Sequence, residues 1–375
     1  MTKKNILILK FPYSSLFGGG EQHTLDLVER LQQKQWQFYL LSSCKVLLGE
    51  FKKRGWQARF LWGGKEPVSK ITILFFPLLA PFILLQMLVF VMYYRLFRRA
   101  KILYCLSLTE KILITPFAFA LGMRVIWMEH VGAGRWLHLN PYRFLYVWWS
   151  KLACVVTVSQ HSRQSFLDIG IPTSRIKVIY NGVDMEKWGG IETRVADPTK
   201  AYVIGFIGRL VKEKGVDILL KAARDVRDIL PQLRLLIIGS GPERGSLEWL
   251  TRKLELTEQV RFVGFQPELE KWIQHLHVLV LPSTGRESFG TILAYGLASG
   301  VPVVGSNLDG IPEIIDHGKT GYLVTPGSVQ ELADTLIHIF HHYNEALALA
   351  RAGRAKVTEH FTLERMASEF ETLFS

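Results

Sequence analysis

The sequence predicts an α/β protein made of two doubly wound domains, and three observations predict it. Short apolar or β-branched runs alternate with helical patterns from one end to the other. The 375 residues, 49% hydrophobic and 21% charged, suffice for two cores rather than one. From Trp188-Gly189-Gly190 through Asp197-Pro198-Thr199-Lys200 the apolar periodicity lapses amid Gly and Pro, which divides the runs into two sets. The same composition excludes disordered, collagen-like and small disulfide-scaffold classes, and the chain has no internal repeat or low-complexity tract.

The first set extends from Asn5 to about Ile179, with strands at 5–9, 38–41, 58–61, 102–106 and 124–127. The opening apolar run stops at Lys10, too short for a signal peptide, and is read as a buried first strand. The second set has strands at 202–207, 233–238, 260–263, 278–281 and 302–304. Phe361, Met366, Phe370 and Phe374 recur at helical spacing and predict a closing helix. The expected layout is therefore a first domain over 1–188, a linker over 189–200, a second domain over 201–355 and a closing helix over 356–375. Cys44, Cys105 and Cys154 are odd in number and widely spaced, with no Cys-x-x-Cys, which fits a reducing cytosol and argues against a zinc site.

The formal charge of +12 is unevenly spread. Residues 1–200 hold 27 Lys/Arg against 12 Asp/Glu, and residues 201–375 hold 18 against 21. The first part thus favours an anionic surface, either nucleic acid or acidic lipid. From Ile71 to Tyr94 there is no charged residue, and Arg95, Arg98, Arg99 and Lys101 follow at once. Three readings compete: a helix lying on a membrane, a wholly buried helix, and a true span. A helix of that length reaches roughly 36 Å, enough to cross a hydrocarbon core. Yet strands are expected on both sides of it, and a crossing would split one sheet across the bilayer. Pro77 and Pro81 are expected to interrupt the segment, leaving Phe82–Phe97 as the helix proper, with one face on the sheet and the other on lipid. Arg135-Trp136 and the run Pro141–Lys151 interleave Trp and Tyr with cations, as at a bilayer interface. Such interleaving also stacks single-stranded bases, but no nucleic-acid module accompanies it. Lipid is the expected partner and nucleic acid is not.

Chemistry is most legible in the second set. The strand at 202–207 runs into Gly208-Arg209-Leu210-Val211-Lys212-Glu213-Lys214-Gly215 and then a helix start. Strand, basic loop and helix amino terminus make an anion site, where Arg209 and Lys214 are suited to neutralise a diphosphate, against the plain alternative of a solvated turn. The strand at 278–281 leads into Pro282-Ser283-Thr284-Gly285-Arg286-Glu287-Ser288-Phe289-Gly290-Thr291 and another helix. Its glycines admit close backbone approach, and the helix start suits a second phosphate. Glu287 is either a first-turn acid or an acceptor for sugar hydroxyls. Gly239-Ser240-Gly241-Pro242 adds a third glycine-rich turn at the same sheet edge, and three together point to a nucleotide.

These residues resemble the retaining GT-B glycosyltransferases of the group 1 type. The likeness covers nearly the whole chain: Gly18-Gly19-Gly20-Glu21, Glu129-His130, Val158-Ser159, Asn181-Gly182-Val183-Asp184, Gly208-Arg209 with Glu213-Lys214-Gly215, Gly239-Ser240-Gly241-Pro242, Glu287-Ser288-Phe289-Gly290 and Gly300-Val301-Pro302-Val303-Val304. The resemblance implies two Rossmann-like domains facing a central cleft, with acceptor mainly on the first and donor on the second. It implies that Arg209 and Lys214 hold the donor diphosphate, that Glu287 contacts the transferred sugar, and that His130 sits by that sugar. Read without the family, a lone His is more often a packed or solvated residue. Gly19, Gly20, Gly208, Gly241, Ser288, Phe289, Gly290 and Thr291 would line the donor. The donor is expected to be a UDP- or GDP-linked sugar, with no metal and no other cofactor.

The family usually carries a second Glu eight positions after the first, which holds the ribose hydroxyls. Here that position is Tyr295, and a phenol cannot chelate two vicinal hydroxyls as a carboxylate does. The expected function is transfer of a sugar to a hydroxyl of a membrane-associated glycan or lipid-linked acceptor, by a protein bound peripherally to the cytoplasmic membrane face. The alternatives are a nucleotide-sugar epimerase or hydrolase of the same fold, and a non-catalytic nucleotide-sugar-binding relative.

Overall fold

The structure is a computed structural model of the chain that describes residues 4–13, 17–63, 65–189 and 200–375. It resolves two compact units: one comprises residues up to Tyr180 together with Met366–Ser375, the other Asn181–Arg365.

The first unit is built on seven parallel strands, β1 (Lys4–Lys10), β2 (Trp36–Ser42), β3 (Gln57–Phe60), β4 (Ile102–Cys105), β5 (Arg124–Glu129), β6 (Ala153–Thr157) and β7 (Ile176–Val178). Their order is β3-β2-β1-β4-β5-β6-β7. Central β1 pairs with a neighbour on each side, Ile6 opposite both Phe38 and Ile102, so Ile6 to Leu9 are wholly buried. That explains why the opening strand reads as an unbroken apolar run rather than an alternating one. The second unit has six parallel strands, β8 (Tyr202–Ile207), β9 (Leu233–Ile238), β10 (Val260–Gly264), β11 (Val278–Leu281), β12 (Val303–Ser306) and β13 (Tyr322–Val324), in the order β10-β9-β8-β11-β12-β13. In each sheet the order reverses beside the first strand, between β1 and β4 and between β8 and β11. The carboxyl ends at such a reversal are where doubly wound sheets bind ligands.

One expectation about the apolar segment is corrected. Pro77 and Pro81 do not interrupt it: a single helix runs from Lys70 to Leu96, capped by Ser69 and Thr72 in a reciprocal pair. A proline removes one backbone donor and leaves the carbonyl four residues back without a partner. For Pro77 that carbonyl belongs to Ile73, and it accepts from the Tyr142 hydroxyl at 3.0 Å. A tertiary contact thus supplies the bond that the helix lacks. Phe76, Ile83, Met87 and Val91 form the buried ridge of this helix and pack into the core with Leu41 and Leu61. Because the helix joins β3 to β4 within one sheet, both of its ends return to the same layer.

The carboxyl-terminal stripe also resolves differently. The expected closing helix is present over Leu363–Phe374, but residues 356–360 belong to the preceding helix, Tyr343–His360. Phe361, at the break, meets Phe289 edge-on in the second unit, whereas Phe370 and Phe374 pack on Tyr104 in the first. Lys34 and Trp36 both bond to Glu371 there. Residues 181–189 group with the second unit, earlier than the expected boundary at 188, because Val183 bridges Thr362 and Trp188 stacks on Tyr295. Most of the expected linker, 190–199, lies outside the described residues.

Candidate functional site

The second unit carries the densest set of expected residues, at its strand-order reversal. After β8, Gly208 to Val211 lead into a short turn at Lys212–Lys214 and then Gly215, whose φ of +66° and ψ of 25° start the helix Val216–Ile229. Gly215 is required twice over. Its backbone is left-handed, and a Cβ there would fall 1.9 Å from the Pro282 carbonyl oxygen in the loop after β11. Thr284 and Gly285 donate their amides to the Glu213 carbonyl at 2.8 and 3.1 Å, so the two loops are tied backbone to backbone. On the other side, Leu210 donates to Ser240 at 2.9 Å, and Gly241 packs so tightly on Leu210 that a Cβ would lie 2.2 Å from its oxygen. Three loops from β8, β9 and β11 therefore form one rigid rim.

On that rim the Lys214 ammonium forms an ion pair with Glu287, and Ser283 donates to the same carboxylate oxygen at 3.3 Å. Both partners are largely shielded, with side chains 19% and 13% exposed. Arg209 is exposed, and its guanidinium makes no ion pair or hydrogen bond among the described residues. Ser288, Phe289 and Gly290 lead into the helix Thr291–Ala298, with Gly290 in the left-handed region at φ +82°. The Phe289 side chain is buried beside Phe361, which leaves its backbone as the part at the rim. Asn181 donates to the Thr291 hydroxyl at 3.2 Å.

Sequence reasoning missed the group that holds Glu287 in place. Asp309, with φ +51°, accepts the Glu287 amide at 2.9 Å, and Gly310 donates to the Glu287 carbonyl at 3.0 Å. Both backbone groups of Glu287 are thereby fixed by the loop after β12. The turn signal Asp309-Gly310 ahead of Pro312 was legible, but its target was not.

Tyr295 lies one helical turn beyond Thr291. Its ring stacks on Trp188 at 4.3 Å between centroids with 8° between planes. The residue that replaces the family's second Glu thus spends its aromatic face on packing within the unit.

The remaining expected residues form a cluster in the first unit, where Gly19 and Gly20 open the helix Gly19–Gln32 after β1. A Cβ on Gly20 would stand 3.0 Å from the His130 ring, so glycine lets helix and imidazole meet. His23 packs edge-on against His130 at 4.7 Å. The His130 Nε2 is enclosed and has no hydrogen-bond partner among the described residues. Burial, reinforced by His23, Lys10 and Lys111, holds the imidazole well below the usual histidine range, so it is neutral near pH 7. Glu21 pairs with Lys10 at the end of β1, and Glu129 pairs with Lys111 and accepts from Tyr146. These two acids are internal partners rather than open ligand groups. Lys10 and Lys111 were also missed: Lys10 ends an apolar run and reads as a strand terminus, and Lys111 lies in the helix Leu108–Leu113, 18 residues before the Glu129 it pairs with. Among the described residues no three His, Cys, Asp or Glu side chains come together as a metal site.

Two doubly wound parallel sheets, each with its reversal beside its first strand, define the GT-B fold. The structure of Anabaena HepE in complex with UDP and glucose superposes with a TM-score of 0.81 at 21% identity, covering 98% of this chain and 99% of that one. The family profiles account for nearly all of the sequence: "Glycosyl transferases group 1" matches 191–356 and "Glycosyltransferase Family 4" matches 17–187. The chain belongs to the group 1 glycosyltransferases. N-acetyl-alpha-D-glucosaminyl L-malate synthase of Bacillus anthracis is 29% identical over 59% of this chain and 59% of its own length. The GDP-mannose-dependent alpha-(1-6)-phosphatidylinositol monomannoside mannosyltransferase of Mycobacterium tuberculosis is 28% identical over 57% and 60%. The chain therefore aligns with about three fifths of the length of these curated relatives.

Proposed function

We propose that the protein is a retaining glycosyltransferase that moves a sugar from a UDP- or GDP-linked donor to a hydroxyl of a membrane-associated glycan or lipid-linked acceptor. The observation that carries this reading is the Lys214–Glu287 pair on the rigid rim at the β8/β11 reversal, with Arg209 exposed in the same loop. A cation and a carboxylate fixed beside helix amino termini suit a ligand with an anionic leaving group and a hydroxyl-rich body. Lys214 and Arg209 would offset the charge that grows on the departing diphosphate, a contribution of several kcal/mol in comparable sites. Glu287 would accept from sugar hydroxyls, its direction fixed by Asp309 and Gly310. The acceptor hydroxyl would attack the face from which the diphosphate leaves, with the leaving phosphate taking its proton, so no side-chain nucleophile is needed. Two cations doing this work leave no role for a metal or other cofactor. HepE, crystallised with UDP and glucose, supports the donor class, and the phosphatidylinositol monomannoside named for the mycobacterial relative supports a lipid-linked acceptor.

Peripheral binding to the cytoplasmic membrane face is part of the same proposal. Its support is the helix Lys70–Leu96, on which Ile71, Leu74, Leu78 and Leu85 are each more than 60% exposed, and the basic residues beside it. Cys44, Cys105 and Cys154, odd in number and widely spaced in the sequence, suit a reducing compartment. Incubation with UDP- and GDP-sugars and a lipid-linked acceptor panel tests the reaction, with anomeric configuration read by NMR. An inverted product, or donor consumption that ignores acceptor, refutes it. Flotation with anionic vesicles tests the membrane part, and a protein that stays in the dense fraction at low salt refutes that part.

A specific observation favours one other reading. Because Tyr295 is stacked on Trp188, the ribose has no carboxylate at that position, and a nucleotide-sugar-binding relative without turnover would share this feature. Nucleotide binding with no transfer across the panel would select it.

A further inference from the structure

A groove of about 370 Å³ opens where the segment after β3 meets the amino-terminal half of the helix Lys70–Leu96. Its floor is Phe76 and Ile83, both buried in the sheet core. One wall is Ile71, Phe75 and Leu79, which continue without a break into the exposed apolar face of the helix. Trp62 closes the opposite side, its ring 5.7 Å from that of Phe82. The single polar side chain of the helix in the groove, Thr72, is tied to Ser69 in the helix cap. That leaves Lys65, exposed on the rim and 5.8 Å from the Tyr13 ring, as the one charged group of the lining.

The groove therefore offers a hydrocarbon trough with one cation at its edge. We propose that it takes up one acyl chain of an anionic phospholipid drawn from the bilayer, with Lys65 meeting the lipid phosphate. Three features choose this occupant. The volume falls at the lower end of the range of about 300–1,000 Å³ for small-ligand sites, enough for a single chain segment. The trough opens onto the apolar face that would rest on the bilayer, so a chain enters without crossing water. The charge is positive and stands at the rim of the trough, in a part of the chain with an excess of 15 cations. An apolar peptide would find only the Lys65 ammonium among the lining side chains to bond its backbone, since Thr72 is tied to Ser69. The inference rests on the peripheral-membrane reading and adds a defined lipid site to it.

The test uses the full chain with vesicles containing phosphatidylglycerol that carries a photoreactive diazirine in its acyl chain, followed by peptide mapping. Adducts are expected at Ile71, Phe75 or Leu79. Ile71→Trp, an exposed position that fills the trough, should cut these adducts about tenfold or more, since each excluded methylene is worth about fourfold, while vesicle flotation is kept by Leu78, Leu85 and Val89. Lys65→Glu should abolish the preference of groove adducts for phosphatidylglycerol over a phosphatidylcholine probe of the same chain, while flotation with anionic vesicles persists. Adducts confined to Leu78, Leu85 and Val89, with flotation intact, overturn the groove and leave the membrane reading standing. Absence of both flotation and adducts overturns both. Groove labelling by a free diazirine fatty acid as strong as by the phospholipid overturns the assignment of the occupant.

Discussion

Replacing Lys214 by alanine separates the chemistry of the rim from its stability. The substitution removes a cation from beside the expected diphosphate and strands Glu287, which is 13% exposed and among the described residues keeps only Ser283 against its carboxylate oxygen. An exposed ion pair contributes at most about 1 kcal/mol, but this pair is largely shielded. Loss of one partner here should cost about 1–3 kcal/mol of stability, between the exposed and fully buried cases. The kinetic loss should be larger, about 10²–10³ in kcat, as when one preorganised donor is removed from a developing anion. Lys214→Ala, Glu287→Gln and the double variant form a cycle. In urea unfolding the double variant should recover much of the stability lost by Lys214→Ala, because no carboxylate remains unpaired. In steady-state transfer assays it should recover none of kcat. Lys253→Ala, at an exposed lysine that lies over Trp249, is the control and should leave turnover unchanged. Equal kinetic effects at Lys214 and Lys253, or recovery of turnover along with stability, would refute the assignment of Lys214 to the leaving group.

Further outcomes are expected. Asp309→Gly removes the acceptor for the Glu287 amide but suits the φ of +51°, so it should lower kcat by about tenfold, one lost charged hydrogen bond, with little change in unfolding midpoint. An unchanged kcat would show that the clamp does not position Glu287. Tyr295→Glu gives up the stack on Trp188, about 0.5–1.5 kcal/mol, and should tighten nucleotide binding in calorimetry. Weaker binding would show that the ring itself serves the ligand. The Glu110 carboxyl is pushed from its ordinary 4.5 up to about 8, first by burial. The folded state then keeps a proton that the unfolded chain has released, so stability falls as pH rises from about 4.5 to about 8. Glu110→Gln, which keeps an acceptor for the Leu106 and Ser107 amides, should raise the melting temperature at pH 8 and hardly alter it at pH 4.5. A gain equal at both pH values would contradict the buried, protonated acid.

The sheets were largely legible because their strands are buried on both faces. Three strands of the second unit, 202–207, 233–238 and 278–281, appear with the expected bounds. Of the strands not singled out, β7 and β13 have three residues each, and a run such as Tyr322–Val324 is too brief to show a period. The helix through Pro77 was hidden for a different reason: its missing bond is supplied by Tyr142, distant in sequence. At the site, loops that directly follow a strand could be read, since glycine and charge occur there in a fixed order. Asp309, Lys10 and Trp188 could not, because each acts on a residue brought near only by the fold.

The transfer reaction proposed here requires that the Lys214 rim bind a nucleoside diphosphate. Titration calorimetry of UDP and GDP into the wild-type chain and into the Arg209→Ala/Lys214→Ala variant tests it most directly. Saturable binding of at least one of the two by the wild type is expected, with a loss of at least tenfold in affinity in a variant that still melts cooperatively. Equal affinity in both proteins would contradict it.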